Sequence, residues 1–293
     1  MIVKDNIDDF NLDHIFDCGQ CFRWEKQQDG SYTGLAFGKP PVNIAFSPYE
    51  GRPYSGRLTI DNAEEKEFDG FWRDYLDLDR DYGKIKTALV KNDDKMTRVI
   101  ESGRGIRILR QDIWETLISF IISQNNNIAR IKKCIAALCE NFGKPAGEYR
   151  GKEYFEFPGV NALASLTVSD LAVCRLGYRD EYVIQTARAV QKDSCAKLFA
   201  LSGGPVDEAF TYLTSLCGVG PKVANCIMLF SLGKLERFPI DVRIRQVMEA
   251  VFGIDRQNMK KMAEYALENF GEYGGVAQQY LYYYISNRAG EEK

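Results

Sequence analysis

"LCGVGPKVANC", residues 216–226, sets two glycines, a proline and a lysine between two apolar runs. The residues before it, "VDEAFTYLTSL" (206–216), read as an amphipathic helix, and "KVANCIMLFSLG" (222–233) as the next. Between them "CGVGP" reads as a tight turn, a hairpin spanning 216–222. Gly218 and Gly220 permit positive φ and close approach of another chain, and Pro221 suits the first helical position. The first turn of the second helix leaves N–H groups unpaired at the positive end of a dipole. With the backbone of Gly218, Gly220 and Val223 there, the motif is a dock for phosphate. Such a hairpin grips a nucleic-acid backbone without reading its sequence. The same residues also suit an ordinary corner between two helices. Lys222 is the anomaly, because the macrodipole disfavours a cation on the first turn.

Outward from the hairpin the texture stays helical back to residue 112. "DIWETLISFIIS" (112–123) is apolar almost all round, the mark of a central buried helix. "IARIKKCIAALCENFG" (128–143) is amphipathic and ends at a glycine. Further helices are predicted near 168–174, 180–192, 240–252, 258–269 and 273–287, with "GKPAGEYRGKEYFEFPGV" (143–160) as a loop between them. Residues 16–61 differ. "FRWEKQ", "SYTGLAF", "VNIAFS" and "GRLTID" are short β-branched or aromatic runs separated by turn residues, which predicts an antiparallel meander. "EEKEFDGFWRDYLDL" (64–78) follows with Phe68, Phe71, Trp72 and Tyr75 on one helical stripe, then a helix over 81–93. The reading is an α+β chain. Residues 1–108 form a twisted antiparallel sheet domain with flanking helices, and 109–293 form a mainly α-helical domain.

Bulk properties narrow the function. The 293 residues are 45% hydrophobic and 27% charged, enough for two packed domains. No apolar stretch approaches a membrane span. "MIVKDNIDDFNLDHIF" has none of the features of a secretory signal, so a cytoplasmic setting is expected, at the nucleoid in a prokaryote. The eight cysteines are scattered through helix-like sequence, apart from one C-x-x-C at Cys18 and Cys21, and read as reduced thiols. His14 is the only histidine, which argues against a serine triad or a histidine-rich metal site. Chemistry therefore falls to lysine, carboxylates or cysteine. Net charge is −3, yet "GRGIRILRQD" (103–112), "ARIKK" (129–133) and "RIRQ" (243–246) are locally basic, as suits an enzyme that must bind and release DNA.

Nineteen residues after Lys222 stands Asp241, in "FPIDVR" (238–243). Hairpin, lysine and aspartate together resemble the helix–hairpin–helix (HhH-GPD) superfamily of base-excision DNA glycosylases. Within it, the 8-oxoguanine DNA glycosylase/lyase family is matched most widely. "DCGQCFRW" (17–24), "ISQNNNIARIKK" (122–133), "LGYRDEYV" (176–183), "GVGPKVANC" (218–226), "FPIDVR" and "YGGVAQQYLYYY" (273–284) are colinear with its segments. No cysteine follows Cys226, so the four-cysteine iron–sulfur cluster of other members is not expected. The resemblance implies no required cofactor, a monomer, and duplex DNA containing 8-oxoguanine as partner. It also implies a structural cation at the hairpin, held by the backbone carbonyls of Thr214, Leu216 and Val219.

By this resemblance Lys222 is the nucleophile and Asp241 the catalytic carboxylate. The residue types fit. An ionised carboxylate stabilises an oxocarbenium-like transition state, and a neutral amine can add to the anomeric carbon. A free lysine titrates near ~10.4, so its helix-start address predicts a partly neutral amine at working pH. Gly19 then supplies the carbonyl that accepts the ring N–H present on 8-oxoguanine and absent from guanine. Gln278 meets the purine's pairing edge, and Cys226 and Tyr282 sandwich the flipped base. Phe230 shares the face of Lys222 and Cys226 at i, i+4, i+8. Asn125, Arg130 and Arg179 hold the orphaned cytosine and Tyr178 wedges the duplex. Arg243 replaces a phosphate-contacting histidine, Tyr282 a phenylalanine, and Gln124 a small residue. Two other readings remain open at this point: a glycosylase of the same fold for another damaged base, such as an alkylated purine, and a helix–hairpin–helix DNA-binding protein without chemistry.

Overall fold

The computed structural model describes residues 1–193 and 195–291. Its first part is a five-stranded antiparallel sheet with strand order β1-β5-β4-β3-β2. The strands are β1 (Ile2–Ile7), β2 (Trp24–Lys26), β3 (Tyr32–Gly34), β4 (Val42–Tyr49) and β5 (Arg52–Asp61), with a short helix α1 (Leu12–Phe16) after β1. Ile2, Ile60, Ile44 and Tyr32 lie opposite one another across four strands and are fully buried. This row packs with Phe10, Phe16, Trp24 and Trp72 into a core of its own. The meander matches the sequence reading, but β1 was not anticipated. It is an edge strand whose burial follows no clean alternation. Residues 64–78 depart from the single helix predicted. A π-helical turn (Phe68–Trp72) runs into α2 (Arg73–Tyr75), with Gly70, a poor helix former, in the middle.

The second part is helical. Its elements are α3 (Tyr82–Asn92), α4 (Met96–Ser102), α5 (Ile113–Ser123), α6 (Ile128–Phe142), α7 (Val160–Ala164), α8 (Arg179–Lys192), α9 (Ala196–Phe199), α10 (Val206–Ser215), α11 (Pro221–Phe230), α12 (Val242–Phe252), α13 (Met259–Phe270) and α14 (Gly274–Glu291). Within the predicted loop 143–160 a two-stranded hairpin forms from β6 (Pro145–Tyr149) and β7 (Lys152–Phe155). Helix α5 is buried almost all round, as its composition predicts. Asp112 caps it, accepting from the Glu115 N–H at 2.9 Å. Tyr82, Ile85, Leu89, Met96, Val99 and Ile100 of α3 and α4 pack into the helical core, not into the sheet's core. By packing, a division at residue 108 therefore separates α3 and α4 from the core they complete.

Two arginines join the parts. Arg107, 4% exposed, donates to the carbonyls of Asp8 (2.7 Å), Asp9 (3.1 Å) and Asp77 (2.6 Å). Arg23 pairs with Glu115 of α5 at 3.1 Å and also donates to the Phe155 carbonyl. The arginines of the basic stretch 103–112 are thus engaged within the fold. Arg107 is buried, Arg104 pairs with Glu101, and Arg110 pairs with Asp74 and Asp77. Among the described residues no helix is long and apolar enough to cross a membrane.

Candidate active site

A cleft of about 910 Å³ opens where the sheet part, α5, α11, α12 and α14 meet. Its two candidate catalytic residues come from two helix starts. Helix α11 begins at Pro221, and its first backbone-bonded amide is Ala224, which donates to the Gly220 carbonyl at 3.0 Å. The amides of Lys222 and Val223 are left over, as the geometry of a helix start requires. Gly218 has φ +75, and a Cβ there would stand 2.7 Å from the Tyr182 ring, so this position needs glycine on two counts. Gly220 corrects the expectation of a second positive φ. Its backbone is extended (φ −87, ψ 178), and a Cβ there would meet nothing within 4 Å. Its role is open space beside the free amides.

Lys222 is half-buried, with its ammonium 5.3 Å from the centroid of Phe120. Phe120 in turn stacks on Phe230 (5.5 Å, 16°) and meets Phe22 edge-on (5.7 Å). The lysine therefore stands on an aromatic floor and makes no ion pair among the described residues. Phe120 and Phe22 were not singled out in the sequence. Their apolar pattern signalled only burial. Cys226, one turn along α11, is 4% exposed. Burial pushes its thiol up, with Lys222 opposing, so it is a neutral wall at ordinary pH.

Asp241 caps α12, accepting from the Ile244 N–H at 2.8 Å with one carboxylate oxygen. The cap fixes the side chain and leaves its other oxygen without a partner among the described residues. Lys222 and Asp241 line the same cleft. From α14, Tyr282 and Gln278 complete it. Burial raises Tyr282 to about 12, opposed by Arg243, whose guanidinium lies 5.6 Å from the ring centroid. Arg243 also donates to Ser286 Oγ at 3.0 Å, so it braces the tyrosine as well as facing solvent. Gln278 is 5% exposed, and its Oε1 is buried with no hydrogen-bond partner. A buried, unpaired amide oxygen costs free energy unless a ligand satisfies it. Gly19 has φ +78, and a Cβ there would sit 3.2 Å from Tyr282.

At the rim, Asn125 (φ +46) and Tyr178, 54% exposed, line the cleft. Asn127 caps α6, accepting from the Arg130 N–H at 3.0 Å. The structure does not bring the two expected cytosine-binding arginines to the cleft. Arg130 is exposed and donates to the Arg175 carbonyl at 3.1 Å. Arg179 is 3% exposed and donates to the carbonyls of Gln124 (2.8 Å), Leu176 (2.9 Å) and Asn125 (3.0 Å). In this conformation it staples the tight turn after α5, where the Gln124 carbonyl also accepts from the Tyr178 hydroxyl at 3.4 Å. Gln124, unexplained in the sequence, donates to the Gly218 carbonyl at 2.8 Å and so ties that turn to the hairpin.

At the other side of the hairpin, the carbonyls of Cys217 and Gly218 accept from Thr186 and Gln124, and that of Leu216 accepts one bond from Val219. Those of Thr214 and Val219 accept none among the described residues. Among the described residues no three His, Cys, Asp or Glu side chains group as metal ligands.

Comparison with known proteins agrees with this layout. Residues 2–117 match the family described as 8-oxoguanine DNA glycosylase, N-terminal domain, and 118–272 match the HhH-GPD superfamily base excision DNA repair protein. The chain is 30% identical to N-glycosylase/DNA lyase OGG1 of Arabidopsis thaliana over 284 residues, 94% of this chain and 77% of that one. The 8-oxoguanine glycosylase/lyase of Clostridium acetobutylicum, solved with double-stranded DNA containing cytosine opposite 8-oxoguanine, superposes with a TM-score of 0.89. It is 39% identical, with 99% of each chain covered. A 3-methyladenine DNA glycosylase from Archaeoglobus fulgidus, 22% identical with a TM-score of 0.78 over 98% of this chain and 99% of that one, shares the fold.

Proposed function

The chain belongs to the 8-oxoguanine DNA glycosylase/lyase family, and we infer that it is a bifunctional glycosylase/AP lyase that excises 8-oxoguanine from duplex DNA in base excision repair. The observation that carries the reading is the convergence of Lys222 and Asp241 on one cleft whose reading group, Gln278, has a buried unpaired oxygen. The lesion is flipped out of the duplex into that cleft, between Cys226 and Tyr282 and above Phe230. Gln278 takes its pairing edge and Gly19 the N–H that guanine lacks. A site built to satisfy that N–H penalises the base that cannot offer it.

Chemistry then needs a neutral amine. Lys222 sheds its proton and adds to the anomeric carbon, while the glycosidic bond breaks and its electron pair leaves with the base, which gains a proton. Asp241 stabilises the positive charge that develops on the sugar. The sugar ring opens to a Schiff base on Lys222. Loss of a C2′ proton then expels the 3′ phosphate, and hydrolysis returns the lysine. The free amides of the hairpin, with Arg243, hold phosphates. Tyr178 wedges the duplex and Asn125 meets the orphaned cytosine. Arg130 and Arg179 would have to release their carbonyls to join it.

The implied hairpin cation fits the carbonyl set. Thr214, Leu216 and Val219 would hold it: among the described residues the carbonyls of Thr214 and Val219 accept no hydrogen bond, and that of Leu216 accepts only the one from the Val219 N–H. It would supply positive charge to a nearby phosphate. The eight free thiols support a reducing, cytoplasmic setting. Excision is tested on identical duplexes carrying 8-oxoguanine, an alkylated purine or an oxidised pyrimidine opposite cytosine or its normal partner. The reading requires 8-oxoguanine to be removed fastest. Faster release of an alkylated purine would assign the fold's other chemistry.

A further inference from the structure

The reading of 8-oxoguanine rests on one backbone carbonyl, that of Gly19. Glycine is a poor residue to hold a carbonyl still, because it adopts either sign of φ at little cost. Gly19 sits at φ +78 and half-exposed at the cleft. Its own carbonyl accepts no hydrogen bond among the described residues. The carbonyls on both sides are held. Gln279 Nε2 donates to the Cys18 carbonyl at 2.5 Å, and Gln111 Nε2 donates to the Gln20 carbonyl at 2.8 Å. The Gln20 side chain is itself pinned, donating to Ile15 (2.9 Å) and Arg107 (2.8 Å) and accepting from the Leu109 N–H (2.9 Å). The Gly19–Gln20 peptide unit, which carries that carbonyl, is thus suspended between two anchored ones.

Gln279 has a second property. It follows Gln278 directly on α14 and is 2% exposed. One helix therefore sends adjacent side chains to two tasks. Gln278 presents an unpaired oxygen at the cleft, and Gln279 grips the peptide unit next to Gly19.

We propose that Gln279 is a specificity-positioning residue: by holding the Cys18 carbonyl it fixes the Gly19 carbonyl relative to Gln278, so that 8-oxoguanine is told from guanine. The proposal rests on the substrate reading above. Gln279 also lines the cleft, but its amide donor is committed to the Cys18 carbonyl, so the proposal assigns it no hydrogen bond to the base and no part in bond breaking.

The test measures equilibrium binding in a Lys222→Gln background, which halts chemistry. Three otherwise identical duplexes carry 8-oxoguanine, guanine or a tetrahydrofuran abasic analogue opposite cytosine. Gln279→Met is then added. It keeps the volume and removes the donor. The proposal predicts that the preference for 8-oxoguanine over guanine falls about tenfold, the scale of one lost hydrogen bond, while abasic affinity stays the same. Gln111→Met is expected to act in the same direction. Unchanged preference in Gln279→Met would overturn the proposal, and so would an equal fall for all three duplexes, which marks a merely structural residue. If the Lys222→Gln protein itself shows no preference for 8-oxoguanine, the substrate reading fails and the proposal with it.

Discussion

Under the proposed mechanism Asp241 serves structure and chemistry at once. Its cap on α12 is a hydrogen bond that asparagine can also make, whereas its charge is needed only when the sugar becomes cationic. Asp241→Asn should therefore leave thermal stability within about 0.5 kcal/mol and lower single-turnover excision by roughly 10²–10³-fold. A variant that unfolded in step with its lost activity would instead make the cap the dominant role. The residues proposed to act on the lesion, Lys222, Asp241, Gly19 and Gln278, each sit in a recognisable segment, and the structure sets all four on one cleft. Their supports were not legible in the sequence. Phe120 under the lysine, Gln124 on the hairpin and Gln279 behind Gly19 act through contacts between segments far apart in the chain, and one sequence carries no trace of such pairings. The second setting of Arg179 was hidden for the same reason. A motif gives its place, but only the fold shows carbonyls claiming its guanidinium.

Among the elements, α5 has an uneasy start. Its cap, Asp112, is raised to about 6, chiefly by burial, with Glu115 adding to the rise. An unfolded aspartate titrates near ~3.9. The folded carboxyl thus holds its proton more tightly than the unfolded one. Stability then falls as pH rises from about 4 to about 6, and the loss is complete above that window. Asp112→Asn keeps the acceptor for the Glu115 N–H without the charge. It should raise stability at pH 7 by about 1–3 kcal/mol and give no gain near pH 4, as urea unfolding at the two pH values would report. An equal gain at both would exclude charge as the cause. Helices were read well because period 3.6 persists over long apolar faces, as in α5, α6 and α11. The hairpin β6–β7 and edge strand β1 were missed because short, largely exposed strands bury too little to impose alternation.

The whole molecule assembles its site from three places. The sheet part brings Gly19, the hairpin and α12 bring Lys222 and Asp241, and α14 closes the cleft with Gln278 and Tyr282. Its geometry depends on how the parts are joined. Arg23 and Glu115 make a mostly buried pair across that join, their side chains 9% and 16% exposed. Arg23→Met would strand the Glu115 charge, at a cost of about 3–5 kcal/mol in urea unfolding at pH 7. Adding Glu115→Leu should recover much of that loss, because paired apolar replacements often match a buried ion pair. No recovery would place the cost in packing at the join. The central claim, that Lys222 forms a covalent Schiff base with the sugar of an excised 8-oxoguanine, is tested most directly by borohydride trapping on a duplex with 8-oxoguanine opposite cytosine. The account predicts a covalent protein–DNA adduct with the native chain and none with Lys222→Gln. No adduct from the native chain, or an adduct that survives in Lys222→Gln, would contradict it.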